Sequence, residues 1–207
     1  MRRWMVALVA SLAVALGQPA AAEGTARGWE LSKAPRLSVI APAPDFTLED
    51  SARQPVRLAD YRGRVVLLSF IFTSCPSACP LITRRIAALQ ERLLDDRLLG
   101  SQVVLLSVTV DPDTDTPAVL SAYAKRHRAD PSGWRFLRET PEKTRAVLQA
   151  YDEWVTRLPE GGIDHPARVY LIDQDGRIRE IYSLAFFDER QALIDIRSLL
   201  TPPRGAQ

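Results

Sequence analysis

Residues Val65-Val66-Leu67-Leu68-Ser69-Phe70-Ile71-Phe72 form an almost unbroken apolar run. A run of that length without a charge fits a strand buried on both faces, at the centre of a sheet. It leads into Thr73-Ser74-Cys75-Pro76-Ser77-Ala78-Cys79-Pro80. From Ala78 to about Leu98 the apolar residues Leu81, Ile82, Ile86, Leu89 and Leu93 recur at helical spacing, with Arg84, Arg85, Glu91 and Arg92 outside. A buried strand that ends in a turn, with thiols at the mouth of the next helix, marks a reactive-thiol or metal site. Cys75 and Cys79 are the only cysteines in the chain.

The elements that follow support such a site. Gly100 is a stop signal for the first helix. Gln102 to Val110 reads as a second buried strand. Thr116-Pro117 and Thr140-Pro141 are N-cap and proline pairs, predicting helices to about Arg128 and Tyr151. Trp134 to Leu137 is a short strand between them, and Asp45 to Leu48 with Val56 to Leu58 are short strands before the thiols. Arg157 to Asp164 reads as a loop. Arg168 to Asp173 and Arg177 to Ser183 form a hairpin across Gln174-Asp175-Gly176, and Glu189 to Leu200 is an amphipathic final helix. This order predicts a mixed α/β sheet with helices on both faces. The thiols then lie at the end of a central strand, where open α/β sheets place their sites.

The chain's ends read differently. Arg2 and Arg3, the apolar stretch Trp4 to Leu16 and the small residues Ala20-Ala21-Ala22 predict a signal peptide over 1–22. The competing reading is an uncleaved membrane anchor. A flexible leader is expected over 23–41, one domain over 42–200 and a disordered tail over 201–207. The basic residues number 27 and the acidic ones 25, and cleavage removes two arginines and no acid. A near-neutral mature chain without a basic block argues against nucleic-acid binding. Export predicts a periplasmic location, where two cysteines can form a disulfide. A disulfide closing so short a loop removes little chain entropy, which weakens a purely structural reading of the pair.

The thiol spacing is Cys-x-x-x-Cys, one residue longer than in thioredoxin-type oxidoreductases. Residues four apart share a helix face, so the sulfurs can meet in a disulfide or around one ion. The helix N-terminus is expected to favour thiolate. A third ligand makes a metal site more specific. The chain has two histidines. His127 lies on a basic helix end and reads as a solvated surface residue. His165 precedes the apolar strand Val169 to Ile172; on spacing alone it is as well read as a loop residue capping local backbone as a ligand.

Three blocks carry a resemblance. Phe72 to Pro80 resembles the signature of the SCO/SenC family of copper proteins. Val108-Thr109-Val110-Asp111-Pro112-Asp113-Thr114-Asp115-Thr116-Pro117 resembles that family's second block, and Asp164-His165, five residues ahead of Tyr170, its third. They occur in the family's order between about Pro42 and Leu200. The resemblance implies a thioredoxin-like fold, with an N-terminal extension and a short hairpin, and a copper site, Cu(I) or Cu(II), made by Cys75, Cys79 and His165. It implies a metallochaperone that supplies copper to the binuclear copper site of cytochrome c oxidase or another cuproenzyme, with thiol exchange alongside. A periplasmic copper donor and a thioredoxin-like reductant are the partners that follow. Asp111 lies near the site by the same analogy.

Two positions depart from the pattern. Ser77-Ala78 stands where many members carry an acidic and a β-branched residue, which predicts an altered surface and intact ligation. Pro166 follows the histidine where a small hydroxyl residue is common; it reads as a stiffener of that loop. The cis-proline position of thioredoxin-type enzymes aligns with Ala167. Two thiolates and an imidazole suit copper, and zinc accepts the same set. The alternative is a periplasmic thiol-disulfide oxidoreductase or thiol peroxidase, with Cys75 attacking and Cys79 resolving. A redox or copper sensor is the third reading.

Overall fold

The computed structural model describes residues 31, 32, 35, 37–76, 78–159 and 162–201. The expected signal peptide, most of the leader and the tail beyond Thr201 lie outside them. In chain order the elements are β1 (Ala41–Pro42), β2 (Thr47–Asp50), β3 (Pro55–Arg57), β4 (Val65–Ile71), α1 (Ala78–Asp95), β5 (Val103–Thr109), α2 (Pro117–Arg126) and β6 (Trp134–Arg138). There follow α3 (Pro141–Ala150), β7 (Thr156–Arg157), β8 (Ile163–Asp164), β9 (Arg168–Ile172), β10 (Arg177–Ser183) and α4 (Glu189–Leu200). No helix among the described residues is long and apolar enough to cross a membrane.

One sheet runs in the order β1-β10-β9-β4-β5-β6-β2-β3. Its middle strands, β4 and β5, are parallel and in register from Val65 opposite Val103 to Ile71 opposite Thr109. Every residue of both is buried, and so both read as unbroken apolar runs. On the outer side of β4, β9 runs antiparallel, with Val66 opposite Ile172 and Ser69 opposite Val169. This is the thioredoxin-like mixed sheet that the resemblance implies.

The serines inside the central strands are paired with each other. Ser69 Oγ lies 3.0 Å from Ser107 Oγ, which accepts from Trp134 Nε1 at 3.1 Å. Phe136 shares that face and meets the Tyr123 ring of α2 at 5.8 Å. The Tyr123 hydroxyl is 2.9 Å from Thr83 Oγ1 of α1, so α1 and α2 cover one face together. On the other face Tyr151, at the end of α3, packs against Phe70 at 5.6 Å and Tyr170 at 5.3 Å. Helices therefore flank both faces, as the element order predicts.

Both Thr-Pro helix starts form as expected: Thr116 Oγ1 accepts from Val119 N, and Thr140 Oγ1 from Lys143 N. The stop of α1 differs. The helix ends at Asp95 and closes when Leu98 N donates to Leu93 O and Arg97 N to Leu94 O, with Arg97 left-handed at φ 58°. Gly100 serves another purpose: a Cβ there would lie 2.6 Å from Ser132 O. The leader differs too. Leu37 is buried, its carbonyl accepts from Arg179 Nε at 2.7 Å, and Ile40 N donates to Ile178 O at 2.9 Å. Residues 37–41 thus belong to the sheet edge, because β10 has unpaired groups to offer there. The loop expected over Arg157 to Asp164 contains a small hairpin, with β7 antiparallel to β8.

Glu153, just after α3, is buried, and its Oε1 accepts from the Tyr170 hydroxyl at 2.6 Å. Its Oε2 has no hydrogen-bond partner among the described residues. Burial pushes the carboxyl up to about 7, against the opposing pull of the Tyr170 hydrogen bond and the Arg168 charge. A raised folded value means more protons bound in the folded state, so this group adds stability at low pH that is lost as pH rises through about 7. Glu153→Gln is expected to flatten the stability profile between about pH 4.3, the ordinary glutamate value, and pH 7. Urea midpoints across that window check it; parallel profiles for parent and variant would contradict it.

Candidate metal centre

The site begins where β4 ends. Phe72 is still buried, and Cys75 N donates to its carbonyl at 3.3 Å, which turns the chain sharply. Thr73 is held from the neighbouring strand-to-helix turn. Asp115, fully buried, accepts from Thr73 N at 3.1 Å and Thr73 Oγ1 at 2.5 Å. Of its two oxygens, Oδ1 takes the Thr73 hydroxyl, and Oδ2 takes both the Thr73 amide and, at 2.5 Å, Thr109 Oγ1. One carboxylate therefore fixes the thiol loop against the end of β5. Sequence reasoning picked Asp111 from this turn and passed over Asp115. The available signal was the parallel pairing of two apolar strands, which sets the turn after β5 beside the turn after β4.

Cys75 is half-buried and Cys79 is buried on the first turn of α1; they are not joined in a disulfide. Cys79 N donates to Cys75 Sγ at 3.3 Å, so Cys75 takes the place of an N-cap acceptor for an orphan helix amide. This is the contact through which a helix start steadies negative charge on sulfur. For Cys79 the expectation of an eased ionisation is overturned. The side-chain hydrogen bond with Cys75, then burial, push its thiol far above the ordinary cysteine value. Two thiolates side by side repel, and only a cation between them removes that penalty.

His165 arrives from the other side of β4. Continuing the antiparallel register of β4 and β9 sets residue 165 opposite the thiol turn. Its ring meets Phe72 edge-on at 5.6 Å, and its Nε2 lies 3.8 Å from Cys79 Sγ. Burial lowers its pKa, with the Pro166 backbone and the Asp164 charge acting the other way, so the imidazole is neutral near pH 7. A neutral ring is the metal-ligating form. Its Nδ1 is buried without a hydrogen-bond partner among the described residues. With metal–sulfur near 2.3 Å and metal–nitrogen near 2.0 Å, donors 3.8 Å apart subtend about 120° at a shared ion. The two donors are thus close enough to share one ion.

The structure brings Cys79 to both Cys75 and His165. It does not close all three around one point: among the described residues no group of three His, Cys, Asp or Glu side chains is set to enclose an ion. Asp111 is buried near the site and engages Arg157 Nη2 at 2.8 Å. His127 is half-buried, not solvated: its ring packs on Tyr123 at 4.5 Å at the end of α2. Ser77 lies outside the described residues. The unequal exposure of the two thiols has a direct readout. At pH 8 in the reduced, metal-free protein, Cys75 is expected to alkylate at least about tenfold faster than Cys79. Peptide mass spectrometry over a time course measures this, and equal rates would contradict it.

Comparison with known proteins follows the same lines. The family model described as SCO1/SenC matches residues 38–201. The mitochondrial SCO2 homolog of Bos taurus is 31% identical over 146 residues, spanning 68% of this chain and 53% of its own length, so the match covers about half of that relative. A SCO1/SenC family lipoprotein from Bacillus anthracis superposes with a TM-score of 0.71 at 27% identity, covering 78% of this chain and 96% of that one. Bradyrhizobium japonicum ScoI with copper bound superposes with a TM-score of 0.67 at 26% identity, covering 77% and 99%. With the family model matched from the sheet edge to the last helix, the chain belongs to the SCO1/SenC family.

Proposed function

We propose that this protein binds one copper ion through Cys75, Cys79 and His165 and supplies it to the binuclear copper site of cytochrome c oxidase or another cuproenzyme. The observation that carries this reading is the 3.8 Å approach of His165 Nε2 to Cys79 Sγ, between residues 86 apart in the chain. A thiol-exchange enzyme needs only the two sulfurs, whereas a metal site gains a third donor from the imidazole. Soft thiolates with one imidazole favour copper, and a relative of similar fold carries it. Copper is cargo here, so the site must also let it go. Half-exposed Cys75 is the sulfur an incoming acceptor reaches first.

The chain's own residues divide the work. Asp115 keeps the thiol loop in place through Thr73. Phe72 lies edge-on to the His165 ring and limits its tilt. The Cys79 amide steadies charge on Cys75. When copper is absent, oxidation of both thiols to a disulfide releases two electrons and two protons to a partner disulfide, and a thioredoxin-like reductant must return them before reloading. Location follows the amino-terminal segment: export to the periplasm, with the B. anthracis lipoprotein as a precedent for a membrane tether.

Titration of the reduced protein with copper under ultraviolet-visible detection tests this. One copper per chain with thiolate charge-transfer bands is expected. Groups that only orient a metal ligand are worth about 10–100-fold in metal affinity, so His165→Ala, which removes a proposed ligand itself, is expected to cost at least about 100-fold while a disulfide still forms. Unchanged copper affinity in that variant, with thiol-exchange turnover lost, would overturn the reading in favour of the oxidoreductase.

A further inference from the structure

We propose that Arg157 and Asp111 are positioning residues that hold the His165 segment against the thiol loop, an inference that rests on the copper reading above. β7 and β8 are two residues each, with Thr156 opposite Asp164 and Arg157 opposite Ile163. A ribbon that short is not stable alone. Thr156, Arg157 and Asp164 are exposed, and only Ile163 packs against the core. Leu158 N closes the ribbon on Gly162 O at 2.8 Å. His165 follows Asp164 directly, so a displacement of the ribbon carries the imidazole with it.

The tether is Arg157. Its Nη2 donates to Asp111 Oδ1 at 2.8 Å and lies 3.8 Å from Asp113 Oδ2. The Arg157 side chain is 61% exposed, whereas that of Asp111 is 5% exposed. Asp111 is a rigid post. Its amide donates to Thr109 Oγ1 at 3.0 Å, and its carbonyl accepts from Asp115 N at 2.9 Å. A buried carboxylate without its cation is costly, so the pair resists opening more than an exposed ion pair does. Four residues on, Asp115 grips Thr73 of the thiol loop. One turn with two carboxylates therefore anchors both ligand-bearing segments, one on each side of the site. Breaking the Arg157 tether frees the histidine side and leaves the sulfur side fixed.

Copper affinity measured by chelator competition, in the full chain, tests the tether. Arg157→Ala is expected to weaken binding about tenfold, the low end for groups that orient a ligand, and Arg157→Lys to restore most of it. In the His165→Ala background, Arg157→Ala is expected to change nothing further. An equal loss in both backgrounds, or no loss in either, would overturn the proposal. A copper-free readout separates it from the copper reading. In the reduced apo protein, Arg157→Ala is expected to move the ring resonances of His165, with His127, the only other histidine, as the unmoved reference. An unmoved His165 resonance overturns the tether whether or not copper binds. A moved resonance in a chain that binds no copper upholds the tether and sinks the copper reading.

Discussion

The antiparallel pairing of β9 with β4 is the constraint on which the site depends. It brings His165 to the turn that carries Cys75 and Cys79, 86 residues away from Cys79 in sequence. The parallel pairing of β5 with β4 does the same for the Asp111–Asp115 turn on the other side. Both ladders are buried and fixed in register by apolar packing on two faces, so neither can slip by a residue without exposing its core. The loops beyond the strands are short and take their position from these ladders. That is how three parts of the chain come together at one end of the sheet.

Electrostatics then select what the cluster can hold. Cys79 is buried beside another sulfur, and its thiol resists ionisation. His165 is neutral, with its ring buried on one side and a sulfur before Nε2 on the other. Such a group of donors carries no counter-charge of its own. A soft cation, as proposed above, would supply the charge that lets both sulfurs ionise and would give the imidazole an acceptor for its lone pair. The same burial that makes the Cys79 thiol reluctant to ionise would make a filled site sensitive to its loss.

Much of this was legible in the sequence. The two unbroken apolar runs became the central strands, and both Thr-Pro pairs became capped helix starts. Cys75, Cys79 and His165 were singled out by residue type and by the resemblance, and the structure sets Cys79 beside each of the other two. What escaped was of a different physical kind. Asp115 earns its place through hydrogen bonds to Thr73 and Thr109, and no local pattern distinguishes it from other carboxylates in a helix-leading turn. Arg97 closes α1 where Gly100 was the residue expected, because the carbonyls of Leu93 and Leu94 find donors at Leu98 and Arg97. The ionisation of Cys79 was misjudged because position on a helix is visible in a sequence and contact with a second sulfur is not.

The central claim is that two sulfurs and one imidazole nitrogen share a single soft ion. X-ray absorption at the copper edge of the reduced, copper-loaded protein addresses it most directly. The account predicts two sulfur scatterers near 2.3 Å and an imidazole pattern beginning near 2.0 Å. A shell of oxygen and nitrogen without sulfur, or two sulfurs with no imidazole pattern, would contradict it.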